Sequence, residues 1–329
     1  MIFKHILLVV NPAVNGETAL ERATVLTKKY GARLTIFSIT KSHPKQHCNW
    51  KLFSGDSRIQ NSADRCKWLQ DCIKSMQRNG IEVNTVSLTG ILLPEIIRQV
   101  KNNRHDLVII AADEKRMGEE HVFGSISARL IRECPCPVWV MQKEQKKPEF
   151  HILAAVDPVP TNLERDSLNV PILIVACSLA RILEAQLHIV HVWNPFPESY
   201  TKKICECIYK KFLENEELEK QGHKEKFLTL LNSINLAEMN PQIHFFEGSP
   251  EECISDTTVN KSIDLLIMGT VGRAGLMRYV VGNTAEDIFN TVNCSMLVIK
   301  PKGFVSSGVL ATDLSREFFS PPDFFTQTL

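Results

Sequence analysis

The 329-residue sequence predicts an α/β protein with two similar halves, each an open sheet of parallel strands covered by helices on both faces. Continuous Val/Ile/Leu runs alternate with stretches of helical periodicity, and strands without polar alternation are typical of parallel sheets buried on both sides. Right-handed strand–helix–strand connections then build a doubly wound sheet. The sequence also repeats itself, which indicates two structural units.

The repeat is visible at four places. Residues 105–110, 124–125 and 136–140 match 263–268, 282–283 and 294–298 at one common offset, whereas 3–12 matches 150–158 at a shorter one. The second half has therefore gained residues in its middle, around 195–236. The polar segment 142–148 lies between the halves and is typical of a linker.

The elements follow in order along each half. In the first half, strands are predicted at 3–10, 33–39, 82–87, 106–112 and 137–141, and helices at 16–30, 62–79, 92–102 and 124–133. In the second half, strands are predicted at 151–156, 186–193, 242–246, 263–269 and 295–300, and helices at 170–184, 199–235, 250–260 and 282–293. The long stretch 199–235 predicts a covering helix or helix pair. We expect domains at 1–146 and 147–303, followed by a Phe-rich tail at 304–329.

Composition excludes several classes of protein. The 38 Lys and Arg residues nearly balance the 37 Asp and Glu residues, so no net charge favours nucleic acid or a membrane surface. No apolar run approaches the roughly 20 residues of a membrane span, and the N-terminal apolar stretch is too short for a secretory signal. The ten cysteines then favour reduced thiols in a cytoplasmic protein.

Candidate ligand-binding residues fall where the strands of the second half end. Asp157 follows the first strand, His191 and Val192 end the second, and Gly269 ends the fourth. The carboxyl ends of parallel strands meet at one edge of a doubly wound sheet, which is where such sheets bind ligands.

The residue types at this edge suit a nucleotide. Gly269 and Gly272 lack a Cβ, so the backbone can approach a ligand closely. The sequence Gly282-Asn283-Thr284 opens a helix, whose unpaired N–H groups and dipole favour phosphate. Arg273 would neutralise phosphate charge, and Asp157 would accept from an adenine amino group or a ribose hydroxyl.

The spacing of Gly269, Gly272 and Gly282 resembles the nucleotide loop of ATP-binding universal stress proteins, with Asn283 where that family usually has Ser or Thr. Residues 1–301 are similar to the tandem, E-type members. The resemblance implies two Rossmann-like domains of the adenine nucleotide alpha hydrolase type, each with strand order 3-2-1-4-5. It also implies an intramolecular pseudo-dimer joined through the last strands, 137–141 and 295–300, and it allows a homodimer of chains.

The resemblance implies the following site, with no catalytic residue. Asp157 and the Val192 backbone would hold adenine, and the ribose and phosphates of ATP, with accompanying Mg²⁺, would contact Gly269, Gly272, Gly282, Asn283 and Thr284. The chain would then act in stress response as a non-catalytic or very slow nucleotide-dependent regulator. In the first half, Ala111 and Glu114 replace the first two glycines and Glu119 and Glu120 add negative charge, so we expect no triphosphate there.

Two other functions stay open. The glycines would only shape a turn if the chain is a scaffold or regulator for a protein partner or a non-nucleotide, lipid-like small molecule. The degraded first site, the 199–235 stretch and the Phe-rich tail favour that reading. An adenylate-transferring enzyme is the third reading, without identified catalytic groups.

No metal ligands are predicted. Cys134 and Cys136, like Cys205 and Cys207, lack the usual two-residue gap of zinc sites. His188 and His191 are expected on one face of their strand, with His151 and His244 on neighbouring strands. We interpret these four as ordinary strand histidines, a metal site being the alternative.

Overall fold

Ten strands form the framework of the part of the chain that the computed structural model describes, namely residues 2–10, 16–40, 60–112, 124–142, 147–159, 163–195, 206–236, 239–270, 283–301 and 304. The strands are β1 His5–Val10, β2 Arg33–Thr40, β3 Val83–Thr89, β4 Leu107–Ala111, β5 Val138–Met141, β6 His151–Ala155, β7 Gln186–Trp193, β8 Gln242–Glu247, β9 Leu265–Gly269 and β10 Ser295–Ile299. Their positions agree with the predicted strands to within about two residues at each end.

All ten strands belong to one sheet, with the order β3-β2-β1-β4-β5-β10-β9-β6-β7-β8. Each half contributes five parallel strands in the predicted order 3-2-1-4-5. The last strands, β5 and β10, pair antiparallel, with Trp139 opposite Leu297. The predicted fold class, strand order and pairing of the halves are confirmed.

Eight helices connect the described strands. They are α1 Glu17–Tyr30, α2 Gln60–Arg78, α3 Leu92–Asn103, α4 Gly124–Glu133, α5 Leu163–Leu183, α6 Glu206–Asn232, α7 Pro250–Asn260 and α8 Asn283–Thr291. Helix α5 begins seven residues before the predicted start, so Pro171 lies inside the helix and does not mark its first turn. The 199–235 stretch forms a single 27-residue helix, α6, within its described part. None of the helices in the described ranges combines the length and apolar character of a membrane span.

The helices cover the sheet in two layers. One face buries residues of α1, α2, α5 and α6, and the other buries residues of α3, α4, α7 and α8. Both apolar cores continue across the β5–β10 junction, because Trp139 and Leu297 point into the first core while Val140 and Val298 point into the second. Each half therefore depends on the other for part of its core.

Side chains from α1 also reach the second half directly. The Tyr30 hydroxyl lies 2.7 Å from the Ser178 hydroxyl on α5, and the Arg22 guanidinium lies 4.6 Å from the centroid of the Phe150 ring. A cation over an aromatic face adds modest attraction, so these contacts strengthen the junction on one side of the sheet.

On the other side, Lys300 anchors the end of the second half. Its ammonium donates to the Ile131 carbonyl of α4 and lies 4.5 Å from the centroid of the Phe304 ring. Phe304 itself is buried. The first residue of the predicted Phe-rich tail thus packs on the protein's own surface, whereas 305–329 lie outside the described residues.

Trp139 provides a test of the junction, because its ring is fully buried and its indole N–H has no hydrogen-bond partner in the described structure. We expect Trp139→Ala to lower the free energy of unfolding by about 3–5 kcal/mol by opening a cavity under both halves. Trp139→Phe keeps an aromatic ring and removes the unpaired donor, so its loss should be clearly smaller. Urea unfolding followed by circular dichroism measures both, and equal losses would contradict this account of the junction.

Candidate functional site

The ladder between β6 and β7 opens where Asp157 and Val192 lie. Ala155 pairs with Val190, and the Val156 N–H donates to the Val190 carbonyl at 3.0 Å. Beyond that point β6 has ended, while β7 continues beside β8 as far as Trp193. The N–H and C=O of one strand residue point to the same side, and every second residue repeats that direction. The Val192 peptide groups therefore face the space that β6 has left.

Asp157 is held at the edge of this opening by Asn169 of α5. The Asp157 N–H donates to Asn169 Oδ1 at 2.9 Å, and Asn169 Nδ2 donates to the Asp157 carbonyl at 2.7 Å. The Asp157 carboxylate accepts from the Val159 N–H at 3.3 Å. Asn169 is 3% exposed, so its two hydrogen bonds tie the half-buried Asp157 backbone to a side chain of the protein interior. Sequence reasoning missed Asn169, although a single amide beside the apolar run 170–177 was a signal for it.

The end of β9 contributes a glycine and a buried hydroxyl. A Cβ on Gly269 would lie 2.8 Å from Leu168 Cδ1, so a side chain there would displace the buried Leu168 side chain, which packs α5 against β9. The next residue, Thr270, is 2% exposed, and its hydroxyl has no hydrogen-bond partner in the described structure. An unpaired buried hydroxyl costs stability, which makes Thr270 a candidate ligand contact.

Of the other predicted binding residues, the structure describes two. Asn283 and Thr284 form the start of α8, as the predicted helix opening requires. Gly272, Arg273 and Gly282 lie outside the described residues. In the first half, Ala111 ends β4 at the place that corresponds to Gly269.

His188 and His191 lie on opposite faces of β7, so the prediction that they share a face is wrong. They are three residues apart, and side chains along a strand alternate with a period of two. On the His188 face, His151 Nδ1 lies 3.2 Å from His188 Nε2, and His188 Nδ1 lies 3.1 Å from His244 Nε2. The three rings form a hydrogen-bonded row across β6, β7 and β8. No group of histidine, cysteine and carboxylate side chains among the described residues has an arrangement that could hold a metal ion.

On the other face, His191 contacts the open end of β6. Its Nδ1 lies 3.1 Å from the Val156 carbonyl, and its Nε2 lies 3.0 Å from Nδ1 of His223 on α6. Burial lowers the pKa of His191 to about 4 and also lowers the pKa of His223, while the charge of Asp157 opposes both changes. His223 was not identified from the sequence, because nothing in a charged surface helix indicates which residue reaches the sheet.

Cys134 and Cys136 are buried at the entry to β5. Their Sγ atoms are 3.7 Å apart, and burial raises the pKa of the Cys136 thiol. Both side chains belong to the apolar core on that face of the sheet.

A separate cavity of about 390 Å³ lies in the first half, at the amino ends of β1, β2 and β3. Its polar lining comes from His5, Arg33, Thr35, Glu82, Asn84, Gln99 and Asn103. It lies at the edge of the sheet opposite to the predicted binding edge. The strand registers place His188 and His244 of the second half where the first half has Thr35 and Val86, two residues that line this cavity.

This sheet with its tandem halves is shared with known proteins. The model of the universal stress protein family matches residues 2–142 and 151–300. Universal stress protein E of Escherichia coli K12 is 26% identical over 311 residues, covering 91% of this chain and 95% of that protein. A functionally unknown protein from Pseudomonas aeruginosa PAO1 superposes with a TM-score of 0.65 at 22% identity, covering 96% of this chain and 98% of its own. A universal stress protein from Archaeoglobus fulgidus has a TM-score of 0.54 at 16% identity, with 90% and 96% covered.

The chain belongs to the universal stress protein family, since both of its halves match the family model. It is similar along nearly its whole length to the tandem protein of E. coli, which also agrees with the resemblance inferred from the glycine pattern. The two structural likenesses support the fold alone.

Gly269→Ala tests whether α5 packing requires this glycine. The added Cβ would press on the buried Leu168 side chain, and an extra methyl group in a packed core costs about 1–3 kcal/mol. We expect a lower thermal midpoint in the absence of any ligand. Gly222→Ala is the matched control, because a Cβ there meets nothing within 4 Å and alanine favours helix α6. A Gly269→Ala protein as stable as wild type would contradict the packing requirement.

Buried histidines predict a loss of stability in weak acid. Burial lowers the pKa values of His105, His188 and His191 from 6.5 to about 4. Between these values the unfolded chain takes up protons that the folded chain excludes, so lowering the pH favours unfolding. We expect the urea concentration at the unfolding midpoint to decrease when the pH is lowered from about 7 to about 5 at constant ionic strength. This interval lies above the pH range in which most carboxylates titrate. His188→Leu removes one such group and should lose less over the same interval, whereas an identical loss in both proteins would rule out this origin.

Proposed function

We propose that the chain binds ATP or a related adenine nucleotide at the carboxyl edge of its second half. The observation that carries the proposal is the pair of Val192 peptide groups facing the gap beside Asp157. The hydrogen-bonding edge of adenine presents a ring nitrogen that accepts and an amino group that donates. One peptide N–H and one peptide C=O on the same side of a strand complement that edge, and the Asp157 carboxylate adds an acceptor.

The phosphates would lie toward β9 and α8. β9 ends at Gly269 with Thr270 next, and α8 begins at Asn283, so the predicted loop between them would lie at the same edge of the sheet. Gly272, Arg273 and Gly282 of that loop, together with Asn283 and Thr284, would hold the ribose and phosphates, with Mg²⁺ accompanying ATP. The unpaired N–H groups of a helix start attract such anions.

The first half is not expected to bind ATP. Its ladder stays closed for one pair longer, since Val10 still pairs with Ser38. Ala111 also stands where the second half has Gly269. The predicted loop adds Glu119 and Glu120, and a carboxylate ~4 Å from a phosphate charge costs about 4 kcal/mol at an effective dielectric of ~20. One nucleotide per chain follows.

We further propose that nucleotide occupancy regulates contacts with partners in the stress response and that catalysis is absent or very slow. The order of the loop between Gly269 and Asn283 would depend on the bound phosphates, so the surface offered to partners would differ between the two states.

Binding of a protein partner or a non-nucleotide small molecule is the second candidate, and one observation favours it. Gly269 has a packing reason for lacking a side chain, so its presence does not by itself require a ligand. Helix α6 also presents Leu218, 73% exposed, on the outside of the second half. Native mass spectrometry of the purified protein separates the candidates by the mass of whatever copurifies, and it reports homodimers in the same spectrum.

A cytoplasmic location fits the cysteines. Among the residues whose side chains the structure describes, Cys72, Cys134, Cys136, Cys177, Cys253 and Cys294 are free thiols. Disulfides form in oxidising compartments, so unpaired thiols favour a reducing one. We therefore propose the cytoplasm as the compartment.

Calorimetric titration with Mg-ATP tests the nucleotide proposal. We expect one site per chain, and Asp157→Ala should weaken binding at least tenfold by removing an acceptor at the opening. Asn11→Ala is the matched control, because Asn11 has the position in the first repeat that Asp157 has in the second. This variant should bind Mg-ATP like wild type. Circular dichroism checks that both variants fold. Two equivalent sites, or unchanged binding by Asp157→Ala, would refute the proposal.

A further inference from the structure

The Val156 carbonyl has an unusual partner for a residue at the end of a parallel ladder. Val156 N–H donates to Val190, so continuation of the ladder would give the Val156 carbonyl the N–H of Val192 as its donor. The structure gives that carbonyl the Nδ1–H of His191 instead, at 3.1 Å. The side chain of His191 thus takes the place of the Val192 N–H as the donor to the Val156 carbonyl.

The direction of these hydrogen bonds is fixed by the carbonyl. A carbonyl oxygen only accepts, so Nδ1 of His191 carries the hydrogen, and in the neutral ring Nε2 holds a lone pair. The 3.0 Å contact with His223 therefore requires His223 Nδ1 to donate to His191 Nε2. Burial keeps His191 neutral, because it lowers the pKa to about 4. His223 of α6 thus fixes the tautomer in which His191 donates to Val156.

The imidazole of His191 is also held by packing. The residue is 2% exposed, and the His223 ring lies nearly parallel to it, with a centroid distance of 5.3 Å and an interplanar angle of 4°, as a hydrogen bond between the edges of two rings requires. The rings of Phe227 and Phe245 lie 5.6 Å and 5.7 Å away. The ring therefore has one orientation, which keeps its Nδ1 on the Val156 carbonyl.

The first half provides an internal comparison. Its strand registers place Ser38 where the second half has His191, and Val10 where it has Val156. The Ser38 hydroxyl lies 3.0 Å from the Ser87 hydroxyl of β3 and so bonds away from β1. There Val10 and Ser38 remain paired, which extends the ladder by one pair relative to the second half. The ladder stops early in the half that has the histidine.

We infer that His191 is a positioning residue that occupies the Val156 carbonyl and so leaves the Val192 N–H available for a ligand, with His223 holding His191 in place. The chemistry of that ligand, a heteroaromatic base with an acceptor nitrogen beside an amino group, rests on the proposed function. The release of the Val192 N–H rests only on the hydrogen bonds and registers of the strands.

Amide hydrogen exchange of Val192 tests the release without any ligand. In wild type, the Val192 amide should exchange at least tenfold faster than that of Val190. In His191→Phe, an apolar ring fills the site, the Val156 carbonyl becomes available, and we expect the Val192 amide to exchange at least tenfold more slowly than in wild type. His191→Asn keeps a side-chain donor and should restore fast exchange. A Val192 amide that is protected in wild type, or unchanged in His191→Phe, would overturn the inference.

Mg-ATP titration of the same three proteins separates this inference from the nucleotide proposal. We expect His191→Phe to bind at least tenfold more weakly than wild type and His191→Asn to bind within threefold of it. If wild type binds no nucleotide but the exchange pattern holds, the proposed function fails and the role of His191 stands. If wild type binds and His191→Phe binds equally well, the positioning role fails and the proposed function stands.

Nitrogen NMR of the wild-type imidazole covers the case in which His191→Phe does not fold. We expect the signal of a protonated Nδ1 and an unprotonated Nε2 for His191, with a scalar coupling across the hydrogen bond to the Val156 carbonyl. The opposite tautomer, or a doubly protonated ring at neutral pH, would overturn the inference without any substitution.

Discussion

The antiparallel pairing of β5 with β10 is the interaction on which the rest of this structure depends. Each half alone would end in an open strand edge with unpaired N–H and C=O groups, which is a site for aggregation. Joining the two edges removes both and lets the apolar cores run through the junction under Trp139 and Leu297. Contacts such as Tyr30 to Ser178 add to a connection that the backbone already makes. The chain thereby contains within itself the kind of interface that two separate subunits would otherwise form.

The same backbone plan leaves the two halves with different binding edges. In the second half the ladder between the first and second strands ends at Ala155 and Val190, one pair earlier than the last described pair of the first half, Val10 and Ser38. A single side chain at that point, serine in one half and histidine in the other, is associated with the difference. The amino ends differ as well, because the second half has the hydrogen-bonded rings of His188 and His244 at the positions of Thr35 and Val86, which line a cavity of about 390 Å³ in the first half. Duplication thus preserves the sheet, while a few polar residues at its ends make the halves chemically distinct.

The long helix α6 connects the extra residues of the second half to its binding edge. The first half covers the same face of its sheet with the shorter α2. Along α6, Phe227 and Leu231 are buried in the core, and His223, one turn before Phe227, reaches His191. The inserted segment was predicted as a covering helix, and its His223 also supports His191 at the proposed binding edge. Asn169 of α5 has a comparable role at Asp157, since both side chains act on the backbone that surrounds the opening.

The sequence by itself determined the architecture of this protein: the repeat, the ten strands, their order and the joining of the last strands. These features follow from apolar periodicity and from a family resemblance that extends along the chain. The sequence also indicated Asp157, Val192 and Gly269, because the ends of parallel strands are recognisable as breaks in apolar runs. Only the tertiary structure decided that His188 and His191 face opposite sides, that Leu168 lies where a Cβ of residue 269 would be, and that Asn169 and His223 support the edge. These features depend on contacts between residues far apart in the chain and on hydrogen bonds whose direction is set by a carbonyl oxygen. Neither kind of interaction leaves a periodic pattern in the sequence.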